Sequence, residues 1–310
     1  MIVKLNGKNV TKLVQSLNMS NSIDTLSTTV SISFPFYKNT KFLVEVKVGD
    51  KLEIDHIFQG IVVDCVYDKE STEIKAFDIA FYLSKNMILK QIRNTAAKEG
   101  IKAICSELGI PINIKSGLDT KVNLMFKNKS ASDSIVDIIK EDTKQTGKEY
   151  FIYTLNNKVY IEELGNEEVA LSFKLNDAET FKGDKLLSEK VVSENIEELK
   201  NSILVLSDDN KSLKVLAKNE DSGSINKYGK LQEVVELNSK ENKKAKSVAS
   251  TTLNSLNKIK KVVNVNLITD TYVISGKKIK LENVDYLIKS VNLDFENGAF
   301  KGNLELKELV

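Results

Sequence analysis

"VGDKLEIDHIFQGIVVDCVYD", residues 48–68, holds two runs of alternating apolar and polar residues around a short polar turn. This pattern is typical of a β-hairpin. A similar stretch, "SGKKIKLENVDYLIKSVNLDFE", occupies residues 275–296 near the other end of the chain. A polar turn and a further alternating run follow each stretch, "TEIKAFD" in the first and "GNLELKEL" in the second. The sequence therefore predicts the same strand arrangement near both ends.

The two stretches align in phase when the second copy is given one extra residue. The aligned pairs are Gly49 with Gly276, Leu52 with Ile279, Ile54 with Leu281, Phe58 with Tyr286, Val63 with Val291, Cys65 with Leu293 and Tyr67 with Phe295. Two interpretations remain open. Either the two stretches belong to related β domains, or they are unrelated hairpins that look alike because an alternating pattern has only two phases. If the copies are related β domains, three chains would present six similar surfaces and could match a six-fold partner.

Composition restricts the possible partners. The chain has 310 residues, enough for two or three domains with cores of their own. Lys and Arg number 45 against 43 Asp and Glu, so no overall charge favours nucleic acid or an anionic membrane. We therefore expect no recognition of nucleic acid sequence and no membrane association, and partners that bind through local surfaces.

Cysteine usage and the N-terminus indicate where the chain is made. Cys65 and Cys105 lie in apolar periodic segments without a CxxC motif, so we expect two buried free thiols and a reducing compartment. Lys4 and Asn6 interrupt what would be the apolar core of a signal peptide, and no apolar run has the length of a membrane span. We expect synthesis in the cytosol without a signal peptide.

Changes of period divide the chain into three domains. Residues 1–90 read as a first β domain, completed by strands from about 165–190. Residues 91–164 read as a small α/β domain, and 195–310 as a second β domain with a helix at about 239–260. The expected fold class is α+β and mostly β. It comprises two β domains, an inserted α/β domain and a helix in the C-terminal part.

Helix signals place two helices and a hairpin in the α/β domain. The first helix carries an apolar stripe of Ala97, Ile101, Ile104, Cys105 and Leu108, followed by Gly109 and Pro111. The second begins with capping-box spacing at Ser130 and Asp133 and ends at Gly147. "YFIYTLNNKVYIEEL" predicts a hairpin turning at Asn156 and Asn157.

Further along, "NSILVLSDDNKSLKVLAKN" predicts another hairpin, with Asp208 to Ser212 in its turn rather than in a calcium loop. "NEDSGSINKYGK" reads as a loop at Tyr228 and Gly229, with subunit contact as the alternative. The predicted helix at 239–260 has either a solvated lysine face or a surface for an acidic neighbour. The lysines are Lys240, Lys243, Lys244, Lys246, Lys258, Lys260 and Lys261.

Several of these motifs occur together in one protein family. "VGDKLEI", "FQGIVVD" and "FDIAFYLSKN", then "SASDSIVDIIKEDTKQTGKEYFIY" and "INKYGKLQEVVEL", follow one another in this order. In order and length the chain resembles the baseplate hub proteins of contractile phage tails, of the XkdQ/YqbQ type, related to the T4 hub family and the late control D proteins. The positions carried over are Gly49 and Asp50 at a turn, Gly60 in the next strand, and Tyr228 with Gly229 before a strand. With Gly276 from the repeat, they are the candidate turn or contact residues.

The resemblance implies a structural role and no catalytic, cofactor or metal site. It implies a chain with two pseudo-equivalent β-barrel-like domains. It also implies a homotrimer in a phage or R-type bacteriocin-like particle, joining the hexameric tail tube to the trimeric central spike. The implied partners are the tail tube protein, the central spike protein, other baseplate proteins and the tape measure protein. The implied place of synthesis is the bacterial cytoplasm, and the implied location is the baseplate of the virion or tail-like particle.

Two other function classes were weighed against this one. "EELGNEE" and "SENIEELK" contain carboxylate pairs that a peptidoglycan-degrading tail enzyme could use. The absence of tryptophan disfavours a glycosidase site in these clusters, since sugar sites usually rely on aromatic platforms. A carbohydrate-binding module is the other alternative. His56 and Cys105 have no recognisable catalytic neighbours in sequence, so we expect structural roles for both.

Overall fold

A computed structural model of the chain describes residues 1–35, 45–166, 174–175, 186–187, 190–207, 214–237, 244–281 and 284–309. Strands make up 52% of the described residues and helices 21%, which confirms the mostly β class. Contacts group the chain into two compact units, and each is described by itself below. Unit 1 comprises Met1–Val191 with Asn264–Val310, and unit 2 is Val192–Val263. Among the residues described, no helix is both long and apolar enough to cross a membrane.

The N-terminal part of unit 1 consists of strands. They are β1 (Val3–Leu5), β2 (Lys8–Asn9), β3 (Ser16–Ser22), β4 (Thr29–Pro35), β5 (Lys51–Ile54), β6 (Phe58–Tyr67) and β7 (Ser71–Asp78). Their side chains alternate between core and solvent, as in β4, where Val30, Ile32 and Phe34 are buried. This alternation confirms the two-residue period predicted for the region.

Helices and strands then alternate in the middle of the chain. The elements are α1 (Phe81–Lys85), β8 (Met87–Ala96), α2 (Ala97–Glu107), β9 (Ile112–Ile114), β10 (Lys121–Ser130), α3 (Ala131–Thr146), β11 (Tyr150–Leu155) and β12 (Lys158–Glu163). Strand β8 pairs with β10, and β12 pairs with β11 and β9. The predicted α/β elements are therefore confirmed.

Local signals explain where these helices and turns begin and end. The Ser130 hydroxyl accepts a hydrogen bond from the Asp133 N–H at 3.0 Å, which caps α3. Gly147 ends the helix in the left-handed region at φ 71°. Asn156 and Asn157 have φ of 50° and 56°, the positive values that a two-residue hairpin turn requires.

Unit 1 continues with β13 (Lys174–Leu175), β14 (Leu186–Leu187), β20 (Lys278–Leu281), β21 (Val284–Glu296) and β22 (Ala299–Glu308). It also includes β19 (Lys260–Thr269) from Asn264 onward. The strand order in its main sheet is β13-β14-β19-β22-β21-β3-β4-β7-β6-β5-β1-β2, with β20 also beside β21. Across the described residues this sheet does not close into a barrel. The division into two barrel-like domains stays a prediction.

Unit 2 contains the remaining elements, β15 (Val191–Asn195), β16 (Ser202–Ser207), β17 (Val215–Glu220), α4 (Ser222–Tyr228), β18 (Gln232–Leu237) and α5 (Ala245–Leu256). Strand β16 lies between antiparallel β17 and parallel β18, which confirms the predicted hairpin. Its turn, Asp208 to Ser212, lies outside the described residues. Helix α5 packs Ala245, Ala249 and Leu253 against the sheet.

Two helix predictions in this region need correction. The stretch predicted as a loop at Tyr228 is helix α4, in which the Asp221 carboxylate accepts from the Ser224 N–H. The predicted lysine-rich helix ends at Leu256, because the β-branched run after it enters β19. Lys258, Lys260 and Lys261 thus follow the helix instead of lying on its face, and residues 239–243 lie outside the described part.

The contact grouping also divides the predicted second β domain. Strand β21 pairs with β3 over Ser290 to Asp294, which places the C-terminal strands with the N-terminal ones in unit 1. Residues 192–263 form unit 2. The domain boundaries at about 90, 164 and 195 remain a prediction.

Candidate interaction surface

The two stretches with similar sequence form matched arrangements of three strands. We call β5, β6 and β7 the first repeat and β20, β21 and β22 the second repeat. In each repeat the long middle strand pairs antiparallel with the strands before and after it. Both repeats belong to unit 1 and to the same sheet.

The entry to each repeat has the same backbone hydrogen bonds. A glycine with positive φ, 94° at Gly49 and 85° at Gly276, donates its N–H to a carbonyl of the middle strand at 2.8 Å. In the first repeat this carbonyl belongs to Val62, and the Val62 N–H donates to the carbonyl of Asp50, the residue after the glycine, at 2.9 Å. In the second repeat the carbonyl belongs to Ile288, and the Ile288 N–H donates to the Lys277 carbonyl at 2.9 Å.

A β-bulge follows at the same place in both middle strands. The register between β6 and β7 shifts at Val63, and that between β21 and β22 shifts at Lys289. Each shift comes directly after the residue that bonds the entry turn. Bulges and turn hydrogen bonds do not follow from alternation alone, so these features support a true repeat.

The hydrogen bonds also correct the predicted alignment within the middle strands. The hairpin closes with Ile54 opposite Phe58 in the first repeat and Leu281 opposite Val284 in the second. The second turn is therefore one residue shorter, and Phe58 corresponds to Val284 instead of Tyr286. Beyond this turn the predicted pairs were wrong by two residues, a slip that keeps every side chain on the same face.

Gly49 and Asp50 hold the first entry turn in place. The Asp50 carboxylate accepts from the Asn6 amide at 2.9 Å and from the Lys47 N–H at 2.8 Å. The Asn6 side-chain carbonyl accepts from the Lys51 N–H at 2.9 Å. Asp50 thus joins the turn to the tip of the β1–β2 hairpin.

Gly60 is required by the close approach of the neighbouring strand. A Cβ atom there would lie 2.1 Å from the Phe77 carbonyl oxygen and 2.6 Å from the Phe58 ring. The structure brings Gly60 together with Gly49 and Asp50 on the first repeat. Gly49 and Asp50 shape the turn that leads into β5, and Gly60 allows β6 to lie close to β7.

Gly276 begins the second repeat beside a buried charge cluster that the sequence analysis missed. A Cβ on Gly276 would lie 2.1 Å from the Phe151 ring. The next residue, Lys277, shares the buried Glu162 carboxylate with Lys115, each Nζ lying 3.2 Å from it. Burial raises the pKa of nearby Tyr153 to about 12. These contacts join β12 to the second repeat, and Glu162 is held in ion pairs.

Tyr228 and Gly229 lie in unit 2, at the end of α4. The Gly229 carbonyl accepts from the buried Asn201 amide at 2.8 Å, and the Asn201 side-chain carbonyl accepts from the Leu231 N–H. Gly229 has φ 79°, and Lys227 lies 5.0 Å from the Tyr228 ring centre. This geometry explains why glycine precedes the return to β18, while a subunit contact here stays a prediction.

His56 and the cysteines have no shared site. His56 is exposed in the three-residue turn between β5 and β6. Cys105 is buried, as predicted, and burial raises the pKa of its thiol to about 12. Cys65 is only partly buried, which corrects the expectation of two buried thiols.

Comparisons with known proteins identify the family. The chain belongs to the YQBQ-like family, whose model matches residues 11–307. One relative is the phage-like element PBSX protein XkdQ of Bacillus subtilis (strain 168), 28% identical over 191 residues. That match covers 57% of this chain and 52% of XkdQ, so it spans about half the length of the curated relative.

Two solved structures show how widely the fold is shared. The prophage MuSo2 43 kDa tail protein from Shewanella oneidensis has a TM-score of 0.71 at 10% identity, covering 99% of this chain and 97% of that one. The E. coli c3393 protein has a TM-score of 0.57 at 9% identity, covering 100% and 77%. It is described as a type VI secretion component similar in structure to the T4 bacteriophage tail proteins gp27 and gp5.

Proposed function

We propose that this protein is a structural component of a contractile tail, in a phage or an R-type bacteriocin-like particle, and acts there as the baseplate hub. The observation that carries the proposal is the presence of two matched repeats in one chain, with the same turn hydrogen bonds and the same bulge. Three copies of such a chain would present six similar repeats, whereas every other surface of the chain would be present three times. A homotrimer of this kind would join a hexameric tail tube to a trimeric central spike.

The comparisons support the general class. The family match covers most of the chain, and the names of XkdQ and of the MuSo2 protein refer to a phage-like element and a prophage tail. The fold similarity to c3393, itself described as similar to the T4 tail proteins gp27 and gp5, also supports a role in a tail. We propose the tail tube, the central spike, other baseplate proteins and the tape measure protein as partners, and the particle baseplate as the location.

The proposed role depends on geometry and stability instead of chemistry. The two repeats would be the centres of two pseudo-equivalent β-barrel-like domains around the tube axis. Gly49, Asp50, Gly60 and Gly276 set the strand geometry on which that equivalence depends. Glu162, a buried carboxylate of the first suggested acidic cluster, is neutralised by two lysines, which favours a structural over a catalytic use.

Cryo-electron microscopy of assembled tails tests the proposal. We expect three copies of the chain at the tube end, with the two repeats of each copy in alternating, nearly six-fold positions. Six copies per tail, or single copies attached at the periphery, would contradict the hub assignment.

A further inference from the structure

The sheet formed by β8 and β10 has an apolar cluster on the side that faces away from the core. Its inner side contributes Ile88 and Phe126 to the core that α2 and α3 share. Its other side carries Met87, Leu89 and Met125, which are 57%, 76% and 72% exposed. Leu89 and Met125 are the two most exposed large apolar side chains among the described residues. We call this side of the sheet the outer face.

The strand register places these three side chains next to one another. Leu89 lies opposite Lys127, and Gln91 lies opposite Met125. Because side chains two residues apart on a strand share a face, Leu89 and Met125 are diagonal neighbours. Met87 precedes Leu89 by two residues and extends the cluster along β8. Contiguous apolar side chains at a surface indicate a site of interaction.

The edges of this sheet are poorly suited to an added strand. The register between β8 and β10 shifts at two places, one in each strand. Asn94 of β8 and Asn128 of β10 have φ of 48° and 54° at these places. Such β-bulges twist an edge out of the flat geometry that strand addition needs. A partner is therefore expected on the outer face.

Positive charge surrounds the apolar cluster. Neither strand contains an acidic residue, and the basic residues are Lys90, Arg93, Lys121, Lys127 and Lys129. Lys90 pairs with Glu107 of α2 at 2.7 Å. Lys129 pairs with Asp137 of α3. The other three cations are exposed and make no ion pair with an acid that the structure describes, so they favour an acidic partner.

A second copy of the chain does not offer a matching helix. Among the described helices only α2 and α3 contain acidic residues, and the apolar stripe of each is buried in the core. Helices α1, α4 and α5 contain no acidic residue. This favours another protein as the partner.

A membrane surface also fits less well. Proteins that contact lipid headgroups commonly present tryptophan or tyrosine at that interface. The single aromatic residue of β8 and β10 is Phe126, which is buried. The outer face instead presents two methionines, whose flexible side chains adapt to the shape of a protein partner.

We propose that the outer face binds an acidic amphipathic helix of another protein. Two adjacent strands are about 10 Å wide and a helix has about the same diameter, so one helix covers the sheet. The stretch from Met87 to Gln91 is about 13 Å long, a length that roughly nine helical residues match. Two to three turns of helix are therefore enough to cover the apolar cluster.

In this complex the apolar side of the partner helix packs on Leu89 and Met125, and its carboxylates pair with the exposed cations. Arg93 is the chain's only arginine. Its guanidinium can hold a carboxylate through two parallel hydrogen bonds, which fixes the orientation of the helix. Lys127 lies opposite Leu89, so a charge pair there adjoins the apolar contact. The inference goes beyond the proposed function, because it depends on the α/β elements and not on the two repeats.

Photo-crosslinking from position 89 tests the outer face in the full chain. Benzoylphenylalanine replaces Leu89 in the cells that naturally produce the chain, and mass spectrometry identifies the crosslinked peptides. Benzoylphenylalanine in place of Lys140, an exposed residue of α3, is the control. We expect position 89 to crosslink to a segment of another protein with a helical apolar period and a net negative charge. Its yield should be about tenfold above that of position 140.

Charge reversal tests the acidic character of the partner. Lys127→Glu should lower the crosslinking yield from position 89 about tenfold, because like charges then face each other across the contact. Lys140→Glu makes the same change on α3 and should leave the yield unchanged. Both side chains are exposed, and equal urea midpoints of the two variants and the wild-type chain show that the fold is kept.

Several results would overturn the proposal. They are a crosslink from position 89 to a basic segment or to a second copy of this chain, equal effects of the two charge reversals, and a yield at position 89 no higher than at position 140. Flotation with phosphatidylglycerol vesicles tests the lipid alternative. Vesicle binding that Lys127→Glu abolishes, without a protein crosslink, would make the outer face a lipid-binding surface instead.

These outcomes are independent of the copy number that tests the hub. Three copies per tail without the expected crosslink would retain the hub and reject the partner helix. The expected crosslink with another copy number would retain the outer face as a docking surface and reject the trimer.

Discussion

At the scale of single residues, Gly49 and Gly60 are both needed, for different reasons. Gly49 has φ 94° with open space around its Cβ position, so alanine there would cost only backbone strain, about 1 kcal/mol. Gly60 faces the Phe77 carbonyl, so alanine would force β6 and β7 apart and cost about 3 kcal/mol. Urea unfolding of Gly49→Ala and Gly60→Ala measures both costs. Equal losses would refute the distinction.

Asp78 is a buried acid whose ionisation should oppose folding. Burial raises its pKa from 3.8 to about 6, although the Thr28 and Ala80 N–H groups donate to the carboxylate. A raised pKa in the folded state means that this group's stabilising contribution is present below about pH 4 and is lost as the pH rises through 6. The loss should reach about 3 kcal/mol, from about two pKa units at 1.36 kcal/mol each.

Asp78→Asn should remove this pH dependence. The free energy of unfolding of the variant, relative to wild type, should rise by up to about 3 kcal/mol between pH 4 and pH 7. Urea unfolding at several pH values gives the difference, with the exposed Asp24→Asn as control. A difference that stays constant across this range would show that Asp78 titrates normally.

At the scale of elements, Glu162 links β12 to the entry of the second repeat. Glu162→Gln would leave Lys115 and the largely buried Lys277 without their shared carboxylate, so we expect a loss of about 3 kcal/mol. The neighbouring Glu163 pairs with Lys148 in a more exposed position, and Glu163→Gln should cost about 1 kcal/mol or less. Chemical denaturation compares the two, and a Glu162→Gln loss no larger than that of the control would contradict the expected role of the cluster.

The sequence predicted those elements that have strong local signals. Helix α3 has a serine cap and a terminal glycine, and the β11–β12 turn has two asparagines with positive φ. Helix α4 was missed because it has only seven residues and none of them is buried, so no apolar stripe marks it. The register of β21 was wrong by two residues because a two-residue shift leaves the period unchanged.

The candidate surface was harder to predict than the elements. The alternating pattern revealed the repeat, but not which strand lies beside each copy. The pairing of β21 with β3 joins residues far apart in the chain, and no local signal specifies it. Cys65 was expected to be buried because its alternation matches that of a core strand, yet the side chain that shares its face, Tyr67, remains exposed.

At the scale of the whole molecule, the repeat places equivalent residues in unequal environments. Leu293 is covered within the chain, and Tyr67, at the matching position, is not. The same substitution at the two positions should therefore differ in its cost to folding. Leu293→Lys changes a fully buried side chain, and Tyr67→Lys changes an exposed one.

Leu293→Lys should lower the free energy of unfolding of the monomer by more than about 3 kcal/mol, because it buries a charge and removes a core side chain. Tyr67→Lys should cost about 1 kcal/mol or less, chiefly the hydrogen bond from the Tyr67 hydroxyl to the Val46 carbonyl. Thermal and urea unfolding of dilute protein measures both without interference from association. If Tyr67→Lys destabilises the monomer as strongly as Leu293→Lys, the first repeat is already covered by its own chain, and the two repeats have equivalent environments before assembly.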